Sequence, residues 1–169
     1  MHSRWSLILL ATVVAAPLSI LCAQDAPAPA PNERERVVRI SRALESDPLG
    51  KDAAELRKWA LTWLIDHPEL DFNVCTSFLA PLLKSERKYS SEINMQMVIS
   101  GGAFVIEHPD MMHDNNAVYL ASLEGSLKVY ESLVRREPEA RWKFLDDLVV
   151  SRDKGTLKEY VAREKGKCK

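Results

Sequence analysis

Apolar residues recur along the chain at the spacing of an α-helix. The pattern is clearest over residues 52–67, where they fall at i, i+3, i+4, i+7 and i+8: Leu56, Trp59, Ala60, Trp63 and Leu64. A later stretch repeats the series at Met95, Val98, Ile99, Gly102, Ala103 and Ile106. Because apolar residues also cover the other face of this later stretch, we expect it to be a central, buried helix.

Shorter patterns of the same kind predict the other helices. They lie over 37–44, 74–82, 142–149 and 157–161, and Pro81 is expected to shorten or bend the second of these. A further helix begins at an N-cap on Asn115 or Asn116 and runs to about Val134. No segment combines strand alternation with hairpin turn residues, so the sequence predicts an all-α protein of six to seven helices.

Part of the chain resembles another part of itself. Residues 63–70 read WLIDHPEL and residues 104–111 read FVIEHPDM, 41 positions later (104 − 63). Over the twenty aligned pairs from 63/104 to 82/123, six are identical. Each unit predicts a helix that ends at the proline, followed by a connector and a second helix. Since solenoids usually need three or more repeats, we expect a compact bundle with an internally duplicated helix hairpin rather than an open superhelix.

Small residues interrupt two of the predicted helices. The sequence Ser-Gly-Gly-Ala occupies 100–103, and the next helix carries Ala121, Ser122, Gly125 and Ser126. Glycine costs about 1 kcal/mol in a helix interior relative to alanine, so such clusters need a reason. We expect the two helices to cross at close range; a ligand that approaches bare backbone is the alternative.

The N-terminus is typical of an export signal. Residues 1–23 form a short basic start, an apolar middle and a small-residue cleavage site, which predicts a secretory signal peptide rather than an uncleaved membrane anchor. Alternating Ala and Pro over 24–32 predict an extended or disordered linker. Residues 33–169 then form a single domain, and its last seven residues are a basic tail that we expect to be solvated.

Two cysteines remain after the predicted cleavage. Cys75 and Cys168 lie 93 residues apart (168 − 75). Because an exported chain meets an oxidising compartment, we expect them to form a disulfide that holds the basic tail against the domain. The alternative is two free thiols.

Composition limits the possible functions. The chain has 169 residues, 46% hydrophobic and 28% charged, with a formal net charge of −1. These values fit one globular domain and exclude a strongly basic nucleic-acid binder. No other apolar run is long enough to span a membrane after the signal, and no cofactor-binding motif is present.

The richest cluster of possible metal ligands occupies residues 107–114, which read EHPDMMHD. His108, Asp110 and His113 are the candidate ligands for zinc or, with the neighbouring methionines, for copper. The spacing matches no known zinc motif. The acid-His-Pro-acid pattern also recurs at 66–69, and a histidine in the last helical turn complements the helix dipole.

Catalytic motifs are scarce. The sequence contains neither G-x-S-x-G nor H-E-x-x-H, and a dyad of Cys75 with a histidine competes with the disulfide. Trp59 and Trp63 could form a sugar-stacking platform, but their continuous aliphatic stripe favours core packing.

Three hypotheses about function follow from these patterns. The first is an exported protein, periplasmic or extracellular, that serves the bacterial envelope as a non-enzymatic protein-interaction or structural module with an unknown protein partner. The second is a metal-binding protein that uses residues 107–114. The third is a hydrolase of an unrecognised class, which requires a pocket with converging Glu or His side chains.

Overall fold

The computed structural model of the chain describes residues 32–85 and 87–168. Seven α-helices lie within these residues: α1 Glu33–Ser46, α2 Ala53–Ile65, α3 Ala80–Leu83, α4 Ser90–Glu107, α5 Asn115–Arg136, α6 Lys143–Asp153 and α7 Leu157–Glu164. Single 3₁₀ turns occupy Thr76–Leu79, Pro109–Met111, Pro138–Ala140 and Lys165–Lys167. The described residues contain no strand, so the predicted all-α bundle is confirmed. The predicted signal peptide (1–23) and all of the predicted linker (24–32) except Asn32 lie outside the described residues.

Side-chain caps and prolines set the helix ends. Asn32 begins α1, because its side-chain oxygen accepts a hydrogen bond from the backbone N–H of Arg34 at 3.0 Å. The N-cap of α5 is Asp114, whose carboxylate accepts from two backbone N–H groups of the first turn. The prediction of Asn115 or Asn116 was therefore wrong by one or two residues. The helix predicted over 74–82 is a 3₁₀ turn followed by the single turn of α3, which carries Pro81 at its start.

Helices α4 and α5 form the centre of the bundle. Nine residues of α4 and eleven of α5 are buried, more than in any other helix of the described residues. Helix α1 packs on both of them, α2 packs on α4 and α1, and α6 and α7 pack on α5. The prediction that the helix over 95–106 is central and buried is confirmed.

The small residues let α4 and α5 approach closely. A Cβ atom built on Gly125 would lie 1.9 Å from Ser100 Oγ, and one built on Gly101 would lie 2.6 Å from Ser122 Oγ. Real carbon atoms do not come this close, so neither position admits a larger residue without a shift of its neighbours. The helix-packing interpretation of these small residues is therefore confirmed.

The tryptophans of α2 belong to its contact with α1. Trp63 is buried, and its indole N–H donates to Glu33 Oε2 at 2.9 Å. The guanidinium of Arg36 lies 3.9 Å from the ring centre of the half-buried Trp59. Arg36 therefore covers one face of the Trp59 ring, which the sugar-stacking alternative would need to be free.

A disulfide joins Cys75, before the first 3₁₀ turn, to Cys168 at the C-terminal end. Two hydrogen bonds accompany it: Tyr160 Oη donates to the carbonyl of Phe78 at 2.8 Å, and Ser77 Oγ donates to that of Lys167 at 3.1 Å. The C-terminal segment is therefore anchored to the domain as predicted, while Lys165, Gly166 and Lys167 are exposed, in agreement with a solvated tail.

The two units of the sequence repeat share some local features. His67 stacks on Trp63, and the ring of His108 lies tilted against that of Phe104, each partner being four residues earlier in its helix. The helices that follow the two connectors differ in length, however, because α3 has 4 residues and α5 has 22. The duplicated helix hairpin therefore stays a prediction.

The close contact of α4 and α5 predicts that Gly125→Ala destabilises the fold. Alanine has the better helix propensity, but its methyl group would overlap Ser100, and such overpacking costs about 1 to 3 kcal/mol. We expect denaturant unfolding to give a free energy of unfolding about 2 kcal/mol lower than that of the wild type. Gly166→Ala is the control, because a Cβ there meets no atom within 4 Å. A Gly125→Ala protein as stable as this control would contradict the packing.

The disulfide predicts that Cys168→Ser is less stable than the wild type in oxidising buffer but not in reducing buffer. In the chain-entropy model, a closed loop of 93 residues contributes about 4 to 5 kcal/mol. We expect the variant to unfold at lower denaturant concentration than the wild type in oxidising buffer. In excess reductant the two proteins should unfold together. Equal stability in oxidising buffer would argue against the disulfide.

Candidate functional site

An open cleft lies between α1 and α5 and has a volume of about 350 Å³. One part of its wall is apolar and comes from α4, the following turn and α5: Phe104, Met111, Ala117, Leu120 and Ala121. Another part is charged and comes from α1, α4 and α5: Arg42, Glu45, Glu107, Glu124 and Lys128. Apolar walls with a few convergent polar groups are typical of binding sites, so this cleft is the candidate functional site.

A buried carboxylate lies at one end of the cleft. The Glu45 side chain is only 9% exposed, and its Oε2 accepts from Lys128 Nζ at 3.1 Å. Its Oε1 lies 3.5 Å from Nη1 of Arg42 and accepts from Ser100 Oγ at 3.4 Å. Because an isolated buried carboxylate is costly, these contacts offset part of the cost of burying the Glu45 side chain.

The contacts of Glu45 tie three helices together. Arg42 also donates from Nη2 to Glu107 Oε2 at 2.9 Å, so α1 is joined to the end of α4. Lys128 joins Glu45 of α1 to α5. We call the set Arg42, Glu45 and Lys128 the charged bridge, since it spans the gap between α1 and α5.

A second cavity of about 360 Å³ adjoins the charged bridge. All three residues of the bridge line both cavities, whereas Ser46, Glu131, Ser132 and Arg135 line only the second. These four residues follow the bridge in the sequence of α1 and α5. The bridge therefore separates two parts of one longer depression between these helices.

Buried hydroxyl and amide groups support the bridge from inside. Gln96 is fully buried, and its Nε2 donates to Ser100 Oγ at 2.9 Å and to Ser41 Oγ at 3.2 Å. Ser132 Oγ donates to the backbone carbonyl of Glu45 at 2.6 Å. The sequence carried one signal for this network, because Ser41 occupies a position in the apolar stripe of α1.

A groove of about 400 Å³ lies on another side of the same part of α5. Ala117 and Leu120 line both this groove and the cleft, so they form a ridge between the two. The far wall of the groove is formed by α7, which contributes Lys158, and by the 3₁₀ turn after it, which contributes Lys165. This arrangement leaves the N-terminal half of α5 accessible on both flanks.

The candidate metal ligands occupy the turn after α4. His108, Asp110 and His113 are all exposed, and His108 alone of the three lines the cleft. Two other acids of the segment have structural contacts, since Glu107 binds Arg42 and Asp114 caps α5. No group of three or more His, Cys, Asp or Glu side chains in the described part of the chain is placed to hold a metal ion. The metal hypothesis stays a prediction without support from this geometry.

The hydroxyl group of the cleft is engaged in hydrogen bonds within the chain. The Ser100 hydroxyl already donates to Glu45 and accepts from Gln96. The hydrogen bonds of residues 32–85 and 87–168 include no Ser–His or Cys–His pair, and the Cys75 thiol is consumed by the disulfide. Glu45, Glu107, Glu124 and His108 do line one cleft, as the hydrolase hypothesis required, but no nucleophile of the described residues is hydrogen-bonded to a histidine there, so this hypothesis stays a prediction.

A second charged cluster holds the start of α4 against the end of α5. Glu137 accepts hydrogen bonds from Lys88 Nζ and from the Tyr89 hydroxyl. These bonds lower the pKa of Glu137, with the Lys88 contact as the larger cause, and the same contact raises the pKa of Lys88. Tyr89 has a left-handed backbone with φ of 68°. The contacts with Glu137 hold Lys88 and Tyr89 in place before α4. None of these three residues lines a cavity described above.

Known proteins give no further guide to the site. None of the protein-family models, curated proteins or solved structures compared with the chain is significantly similar to it. Among the described helices, none combines the length and the apolar character that a membrane crossing requires. The cleft and the charged bridge are therefore the candidate site on which a proposal about function can rest.

The charged bridge predicts that Lys128→Met destabilises the protein by about 1 to 2 kcal/mol, because Glu45 keeps its buried charge with one cation fewer. The double variant Lys128→Met, Glu45→Gln removes that charge as well. Its free energy of unfolding, measured by denaturant unfolding, should therefore be higher than the losses of the two single variants together would give. Lys143→Met is the control, since its ion pair with Asp147 is exposed and should not affect stability measurably. Simple addition of the two single losses would contradict a coupled bridge.

Proposed function

We propose that the chain is an exported, non-enzymatic binding protein of the bacterial envelope, and that the cleft between α1 and α5 holds part of a protein partner. The observation that carries this proposal is the cleft itself. It combines an apolar wall with charged groups at its edge, the composition found at the centre and rim of protein interfaces.

Contacts within the chain hold the walls of the cleft. Helix α5 lies against α4 through the small residues, and the charged bridge holds α1 in place. A preformed surface loses little conformational entropy on binding, so more of the contact energy appears as affinity. This rigidity supports recognition by the cleft.

Two features support export. The first 23 residues have the pattern of a secretory signal peptide. The structure also contains a disulfide between distant cysteines, and such bonds persist mainly outside the reducing cytoplasm. Neither feature depends on the cleft, so the location and the binding surface can be tested separately.

Site-specific photocrosslinking in the cells that make the protein tests this function. We would replace Leu120, on the ridge of the cleft, with p-benzoylphenylalanine and illuminate intact cells. We expect a discrete protein adduct in the envelope or extracellular fraction. Leu83 is the matched control site, because it is a 53% exposed leucine that lines none of the cavities described above.

A second substitution makes the crosslinking specific to the cleft. Ala121→Arg places a long charged side chain on the apolar wall and should suppress the adduct formed at position 120. An adduct of equal yield from position 83, or one unaffected by Ala121→Arg, would overturn the cleft as the binding surface. Recovery of the uncleaved chain from the cytoplasm alone would overturn export.

A further inference from the structure

We infer that the cleft recognises a basic and apolar peptide segment, in which an apolar side chain enters the cleft and a neighbouring Lys or Arg pairs with Glu124. This inference rests on the proposed function and adds the chemistry of the partner. The observation behind it is the distribution of charge around the cleft.

The cleft is lined by more carboxylates than Arg and Lys side chains. Glu45 is paired with Arg42 and Lys128, and Glu107 is paired with Arg42. The half-buried Glu124 is a third carboxylate on the wall, and its side chain makes no ion pair or hydrogen bond with the described residues. With three carboxylates against two cations, the cleft has a place for one further positive charge.

The position of Glu124 fits such a ligand. On α5, residues three and four positions apart lie on the same face, so Glu124 is next to Leu120 and Ala121 and also next to Lys128, whose ammonium group binds Glu45. Leu120 and Ala121 contribute to the apolar wall. An apolar ligand side chain on this wall would therefore bring an adjacent cationic side chain within reach of the Glu124 carboxylate.

An acidic segment fits the same cleft less well. The Arg and Lys side chains among the residues that line the cleft are Arg42 and Lys128, and both already bind Glu45. An anion that drew them away would leave the buried Glu45 carboxylate with fewer partners, which is unfavourable. Charge complementarity therefore selects a basic partner over an acidic one.

Three peptides of equal length test the charge requirement. They are the N-acetylated, C-amidated sequences ALKALLKA, ALQALLQA and ALEALLEA. Each is titrated into the ¹⁵N-labelled protein purified after export, and binding is followed by the amide signals of residues 104–124. We expect the lysine peptide to shift signals around Leu120 and to bind about fivefold more tightly than the glutamine peptide. The glutamate peptide should bind most weakly.

Glu124→Gln identifies the carboxylate responsible. The variant should bind the lysine peptide about fivefold more weakly and the glutamine peptide as before. Glu55→Gln is the matched control, because Glu55 is an exposed acid on α2 that lines none of these cavities. An unchanged affinity of Glu124→Gln for the lysine peptide would overturn the inference.

The outcomes separate this inference from the proposed function. If all three peptides bind at the cleft with equal affinity, the charge inference fails while the cleft remains a binding surface. If none of them shifts the cleft signals at millimolar concentration, the inference fails. A photocrosslinked adduct specific to Leu120 would then still support the cleft, because the crosslink does not depend on these peptides.

Discussion

The close approach of α4 and α5 is the contact on which the rest of the fold depends. Gly125 faces Ser100, and Gly101 faces Ser122, at distances that leave no room for a Cβ atom at either glycine. Glycine is unfavourable inside a helix, so the chain accepts a local cost in each helix. In exchange, α4 and α5 pack tightly against each other. Dense packing stabilises the pair through dispersion contacts that would be lost if a gap separated the helices. Every other α-helix of the described residues contacts one or both of these two, while α2 also packs on α1, and α6 and α7 pack on each other.

The cleft is a consequence of this arrangement. Helix α1 crosses both central helices, and the charged bridge fixes its distance from α5 through the buried carboxylate of Glu45. A buried ion pair is weak evidence for stability, because desolvation offsets much of the attraction. The bridge instead sets the position of α1 relative to α5. Ser100 donates a hydrogen bond to the Glu45 carboxylate, Gln96 donates to Ser100, and Ser132 donates to the backbone carbonyl of Glu45. Two cavities remain on either side of the bridge, and the first has the apolar wall that suits a partner.

The sequence predicted the elements of this fold better than its site. Helical spacing, the small residues and the cysteine pair each report a local or pairwise property, so the helices, the close contact and the disulfide could be inferred. Arg42, Glu45 and Lys128 read individually as polar residues of amphipathic helices, and nothing in their spacing indicates that they meet. Cleft formation depends on the relative placement of three helices, which hydrophobic periodicity does not encode. The composition of residues 107–114 indicated a metal site at His108, Asp110 and His113, which stays a prediction, and it did not indicate the salt bridge of Glu107 or the helix cap of Asp114.

Native-state hydrogen exchange tests most directly whether the α4–α5 contact supports the whole domain. The amides most protected in the protein should be those at the crossing, around residues 100–103 and 122–126, and they should exchange only through global unfolding. Amides of α6 and α7, which have few buried residues, should exchange through smaller openings at lower free energy. If the crossing amides instead exchanged by local opening, while those of α2 or α6 required global unfolding, the central role of this contact would be contradicted.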